Sequence, residues 1–311
     1  MQALANGFTP AVFLKRETAV KDDFFGGEEV STPDGDCLKY ETVHSITPYK
    51  ISEDKVRERL MKDLTIIQGI GKVRAAEFKK KGILTIQELR HTRFKETAKE
   101  TAEIISEGTP KEITSMMREF HRGNDPLLLG FSAQNSENHI FFDIETLGMG
   151  HSPIILFGCG ELDGSELKVT QYLLRNIEEE LPALMLTAKH FKKEKDAVTY
   201  NGRAFDIPYL NERLAYYGER NVSIKMHFDL LYPTRKIFSQ SLPNCCLGTV
   251  ENYLLGLKRQ EDLPGYLVPV YYKRYLWTKN ADILEPIVEH NEADVANLAR
   301  LLNHHLEFIY G

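Results

Sequence analysis

Cysteine is scarce and poorly placed for chemistry. The chain has four, Cys37, Cys159, Cys245 and Cys246, with no Cys-x-x-Cys pair, and the adjacent Cys245 and Cys246 suit a structural bridge badly. A zinc ribbon does not fit; small buried thiols in a reducing compartment do. Long apolar runs are also missing, since stretches such as Pro153-Ile-Ile-Leu-Phe-Gly158 fall far short of the roughly 18 residues that span a bilayer. The start, Met1-Gln-Ala-Leu-Ala-Asn-Gly-Phe8, has no cationic flank leading into an apolar stretch and does not read as a signal peptide. No membrane segment and a cytoplasmic location are the expectations. Nor is there a cationic excess: 39 Lys and Arg against 45 Asp and Glu leave a net charge of −6, which argues against a uniformly basic nucleic-acid coat.

What is present is ordinary globular material, 311 residues with 42% apolar and 27% charged content, about two domains' worth of chain. The charge is unevenly spread. Residues 1–50 hold 5 basic and 8 acidic side chains, residues 51–125 hold 16 and 13, and residues 126–311 hold 18 and 24. The basic surplus is confined to the middle, where a local patch is possible.

The pattern divides at the same places. Residues 1–50, with a Thr32-Pro-Asp-Gly35 turn signal, read as an irregular extension carrying a hairpin. Residues 51–125 read as helical, with Ser52 as an N-cap and Gly123-Asn-Asp-Pro126 as the break. Residues 126–311 read as a mixed α/β series. Strands are expected near 139–146, 153–160, 167–174 and 196–200, with Asp163-Gly164 as a hairpin turn. Helices are expected near 177–194, 204–217, 229–239, 247–256 and 283–309.

Within the basic segment, Leu64-Thr-Ile-Ile-Gln-Gly-Ile-Gly-Lys-Val-Arg-Ala-Ala-Glu-Phe78 places two glycines around Ile70. Gly69 and Gly71 permit a tight turn whose backbone N–H groups open the next helix, where phosphate is attracted. Ala75, Ala76 and Phe78 supply a small apolar packing face, and Gly82-Ile-x-Thr-Ile-x-x-Leu89 follows. The stretch resembles the helix-hairpin-helix of DNA repair and replication proteins. That resemblance implies sequence-independent contact with a DNA or RNA backbone through Gly69, Ile70, Gly71, Lys72 and Arg74. A purely structural packing unit is the alternative.

Three motifs carry carboxylates. In His139-Ile-Phe-Phe-Asp-Ile-Glu-Thr-Leu147, alternation puts Asp143 and Glu145 on one face of a strand, where two converging acids need a cation or a proton. In Val198-Thr-Tyr-Asn-Gly-Arg-Ala-Phe-Asp206, the acid falls at the start of a helix and also suits an N-cap. In Val288-Glu-His-Asn-Glu-Ala-Asp294, His290 and Asp294 share a helical face and also suit a local hydrogen bond.

Taken in order, the trio resembles the DEDD (DnaQ-like) 3′–5′ exonucleases, and most closely the predicted-exonuclease branch of YprB-like proteins. Leu247-Gly-Thr-Val-Glu-Asn-Tyr-Leu-Leu-Gly-Leu257 and Arg259-Gln-Glu-Asp-Leu-Pro-Gly265 look like that branch's linking segment. The resemblance implies an RNase H-like fold, a mixed sheet flanked by helices and preceded by a small helical module. It also implies metal-dependent hydrolysis, with Asp143, Glu145, Asp206 and Asp294 holding two divalent cations, Mg²⁺ or Mn²⁺. Asn201 and Phe205 match positions that place the substrate strand, although Phe205 also suits the core. His290 departs from both subtypes, one with Tyr four before the last Asp and the other with His five before it; its expected role is to orient or deprotonate the attacking water. Asn291 suits a supporting donor or a plain helix residue, Asp229 a helix cap, and Glu251 a structural bond or a site role. Two other readings share these residues: a structure-specific endonuclease of the same fold, and a nucleic-acid-binding adaptor with a vestigial site.

Overall fold

The computed structural model describes residues 24–148, 150–191, 195–259 and 263–311. Glu28–Thr32 (β1) and Gly35–Ser45 (β2) form a hairpin, and four helices follow: Glu53–Met61 (α1), Lys72–Lys80 (α2), Lys95–Glu107 (α3) and Pro110–Glu119 (α4). His139–Thr146 (β3), Ile154–Asp163 (β4) and Glu166–Leu173 (β5) make a meander, followed by Glu180–His190 (α5), Asp196–Thr199 (β6), Asp206–Tyr216 (α6) and His227–Asp229 (β7). The chain ends in helices Leu231–Phe238 (α7), Leu247–Val250 (α8), Val268–Thr278 (α9) and Glu285–Tyr310 (α10). No helix among the described residues is long and apolar enough to cross a membrane.

One mixed sheet of seven strands organises the chain, in the order β1-β2-β5-β4-β3-β6-β7. The pairs from β1 to β3 are antiparallel, and β6 and β7 add in parallel beside β3. β3 lies inside the sheet, between β4 and β6, and is nearly all buried, as its apolar run requires. Phe141 packs with α7, α10 and the helical segment on one face; Ile140, Phe142 and Ile144 pack with α5, α6 and α9 on the other.

The first fifty residues differ from the reading as an irregular extension. β2 pairs with β5 over eight residues, from Leu38 opposite Leu173 to Ser45 opposite Glu166, so the hairpin lengthens the central sheet. Residues 1–23 lie outside the described residues, as do 192–194 of the expected 177–194 helix and 260–262 of the linking segment. That helix runs as α5, from 180. The expected 247–256 helix runs from Leu247 to Leu255, α8 widening into a π-helical turn over Glu251–Leu255, and is stopped by Gly256 at φ 68°. The pattern of Val268-Pro-Val-Tyr-Tyr-Lys-Arg-Tyr-Leu-Trp-Thr278 does not predict the helix α9. Its β-branched and aromatic residues suit a strand locally, but Val268, Tyr272 and Tyr275 are buried at helical spacing.

The helical segment is fastened to the end of α10. Lys55 Nζ donates to the Tyr310 carbonyl at 2.6 Å and Arg59 to the Ile309 carbonyl at 2.6 Å. Ser52 caps α1 as expected, accepting from the Lys55 N–H at 3.3 Å. Between α1 and α2 lies one short turn, Leu64–Ile66. Gly69 adopts φ 86°, and Gly71 precedes α2 with no side-chain cap. Ile70 is buried and its N–H donates to the Ile67 carbonyl at 2.9 Å, so that amide is not open to a phosphate. Arg74 donates back to the Gly69 carbonyl; Lys72 is exposed. Of the expected packing face, Ala75 is buried and Phe78 half-buried, whereas Ala76 is exposed.

Candidate active site

Period-two geometry sends Phe141, Asp143 and Glu145 toward α10. Asp143 lies opposite Gly158 of β4, and Glu145 opposite Leu156. Gly158 has a defined role here. A Cβ at that position would stand 2.3 Å from Asn291 Oδ1 and 2.7 Å from Val295 Cγ2, so only glycine lets α10 approach this closely. The buried Asn291 uses the space to donate to Asp143 Oδ2 at 2.9 Å. Gln171 of β5 in turn donates to Asn291 Oδ1 at 2.8 Å and to the Val288 carbonyl at 3.0 Å, fixing which way the amide points.

Asp206 reaches the same place from the other side. β6 pairs with β3 only through Phe141, leaving the following β3 backbone without a strand partner on that edge. The Ile144 N–H donates to Asp206 Oδ1 at 3.2 Å. Asp206 is the first residue of α6 and only 4% exposed, and its carboxylate serves β3, which a plain N-cap would not do. On α10, His290 Nε2 lies 3.6 Å from Asp294 Oδ2 and 3.7 Å from Glu145 Oε1. Donor atoms of Glu145, His290 and Asp294 all fall within 4.8 Å of one another, so His290 sits among the acids as a potential ligand.

The electrostatics follow from crowding. Burial, reinforced by the charges of Asp294, Asp206 and Glu145, holds the Asp143 carboxyl well above the usual range despite the Asn291 bond. Burial, with Asp229 and Asp294 adding repulsion, pushes Asp206 up to about 7 although the Ile144 N–H works the other way. A cluster of hard oxygen donors short of positive charge suits Mg²⁺ or Mn²⁺. The donor set therefore fits a divalent metal.

One cation is already built in. The guanidinium of Arg259 donates to Asp294 Oδ1 and, at 2.5 Å, to Glu251 Oε1. Glu251 is fully buried and also accepts from Asn297 at 2.9 Å, so this acid acts on the cluster by holding Arg259. In the sequence Arg259 carries no signal beyond its place beside the acidic linking segment.

The Asn201 turn is held from β7. Asp229 accepts from the backbone N–H groups of Asn201 at 2.8 Å, Arg203 at 3.0 Å and Leu231 at 3.1 Å. It thus fixes the β6–α6 turn as well as the start of α7. Asn201 adopts φ 67° with its side chain exposed, and the half-buried Phe205 ring stands 5.3 Å from the Tyr209 ring.

The paired acids of β3 thus face an acid and a histidine of α10 across one mixed sheet. Residues 140–306, more than half of the chain, match the RNase_H superfamily profile, and the chain belongs to that superfamily. It is similar to the uncharacterized protein YprB of Bacillus subtilis (strain 168), 35% identical over 184 residues, 57% of this chain. The match covers 44% of that relative's length.

Proposed function

We propose that the chain is a 3′–5′ exonuclease of the DEDD type, hydrolysing phosphodiester bonds in DNA or RNA. The observation that supports it best is the convergence of Asp143, Glu145, Asp206 and Asp294 from β3, α6 and α10. Two divalent cations held by these four acids would neutralise the scissile phosphate and lower the pKa of the attacking water. His290 orients that water or takes its proton. Asn291 and Gln171 hold Asp143 in one rotamer, and Glu251 holds Arg259 against Asp294, so the cluster is organised before substrate arrives. Asn201 and Phe205 flank the terminal nucleotide.

In this reading residues 51–125 form a nucleic-acid-binding module of the helix-hairpin-helix type, and residues 126–311, extended by the β1–β2 hairpin, form the nuclease domain. Gly69, Gly71, Lys72 and Arg74 meet the backbone, with Ile70 as the buried anchor of the turn. The test is a time course on 5′-labelled single-stranded DNA and RNA with Mn²⁺. A ladder shortening one nucleotide at a time from the 3′ end is expected, whereas a single internal cut of fixed position would replace this reading with an endonuclease.

A further inference from the structure

Outside the acid cluster, a cleft of about 270 Å³ lies between α4 and the outer edge of β7. Its wall on α4 follows from helical spacing. Ile113, Met116 and Met117 turn into the core, while Lys111, Thr114, Ser115 and Arg118, at i, i+3, i+4 and i+7, line the cleft. That face offers two cations and two hydroxyls. The Thr114 Oγ1 is buried without a hydrogen-bond partner among the described residues. Arg203 and Lys225 line the opposite wall, and among the described residues no carboxylate does. In a chain of net charge −6, four cations around one cleft without a lining acid is a marked segregation.

Arg203 ties this cleft to the catalytic motif, standing three residues before Asp206. Its guanidinium donates to Asn124 Oδ1 and the His227 carbonyl, both neutral acceptors. The nearby Asp229 carboxylate is committed to three backbone N–H groups. Burial lowers the Arg203 pKa; the Asp229 carboxylate works against this and the like charge of Arg118 adds to it. The cleft also joins the helical segment to the nuclease sheet.

We propose that this cleft binds the phosphodiester backbone of the substrate strand upstream of the end being cleaved, with Lys111, Arg118, Arg203 and Lys225 as phosphate contacts. The proposal rests on the nuclease reading for its substrate. Hydroxyls paired with Lys and Arg, and no acid, suit phosphate oxygens without base discrimination. One wall of the cleft is α4 of the basic segment, and the other carries Arg203, three residues before Asp206, so a strand held here is shared by both parts of the chain.

Binding is measured apart from cleavage, by fluorescence anisotropy of 5′-fluorescein 20-nucleotide DNA and RNA in EDTA from 50 to 200 mM salt. Arg118→Glu, at an exposed site, is compared with Arg118→Lys and with Lys189→Glu, an exposed cation on α5 at the other face of the sheet. The expected result is about a tenfold weaker Kd for Arg118→Glu, a salt slope smaller by roughly 0.7 per lost phosphate contact, and near-parent values for Arg118→Lys and Lys189→Glu. Equal losses in Arg118→Glu and Lys189→Glu would overturn the proposal by reducing it to net charge. Unchanged oligonucleotide affinity with weakened capture of poly-glutamate would overturn it in favour of an acidic protein partner. Because EDTA blocks metal-dependent hydrolysis, a failed exonuclease reading appears separately, as absent cleavage with oligonucleotide binding intact.

Discussion

Replacing Arg259 by Met removes the guanidinium that bridges Asp294 and Glu251 while keeping most of the side-chain volume. Glu251 is fully buried, and its Oε2 has no hydrogen-bond partner among the described residues, so losing Arg259 leaves an almost uncompensated interior carboxylate. Breaking a buried pair in this way costs about 3–5 kcal/mol. Against a usual folding stability of about 5–15 kcal/mol, that is a large fraction, and at roughly 2 °C per kcal/mol it lowers Tm by about 6–10 °C. The assay is urea and thermal unfolding in EDTA, with Glu251→Gln added as a second change. Removing the stranded charge should return about 1–3 kcal/mol. Arg259→Met within 1 kcal/mol of the parent, or a further loss on adding Glu251→Gln, would refute the idea that this pair organises the acid cluster.

Burial raises the Asp143 and Asp206 carboxyls, so between about pH 4 and pH 7 the folded chain keeps protons that the unfolded chain has released. This contribution to metal-free stability therefore falls as pH rises through that window. Asp206→Asn, which keeps an acceptor for the Ile144 N–H, should flatten the fall, read as urea midpoints at pH 5 and pH 8. Gly158→Ala drives a methyl into Asn291 and Val295; a loss of about 1–3 kcal/mol is expected by chemical denaturation, together with weaker Mn²⁺ binding by calorimetry as Asp143 loses its donor. Under the proposed chemistry, His290→Ala should lower kcat by about 10²–10⁴ with the melting curve preserved, and an unchanged single-turnover rate would remove His290 from the mechanism.

The sheet residues were the most legible in the sequence because apolar alternation and the Asp163-Gly164 turn are local signals. β3, β4, β5 and β6 fall within a few residues of their expected places. The β1–β2 hairpin was legible as a hairpin, but its pairing with β5 spans well over a hundred residues, and no local pattern encodes that. β7 is three residues long and exists only because β6 offers it an edge. α9 needed tertiary burial of Tyr272 and Tyr275 to override strand-like composition.

The site divides along the same line. The acids were visible as spaced motifs, and the fold brings them together. Arg259, Gln171 and Gly158 act through contacts with α10, and a single arginine, glutamine or glycine in sequence carries no such information. The hairpin glycines suggested open amides throughout, and only the Ile70 N–H bond to Ile67 shows that one is already engaged.

The central claim is that the carboxylates of β3, α6 and α10 form a divalent-metal nuclease site, and the direct measurement is Mn²⁺-supported degradation of 3′- and 5′-labelled oligonucleotides by the parent chain, Asp143→Ala and Asp206→Ala. The account predicts that the parent degrades substrate with Mn²⁺ and not in EDTA, and that both variants lose the activity while still binding the oligonucleotide. Robust metal-dependent cleavage by both variants would contradict it.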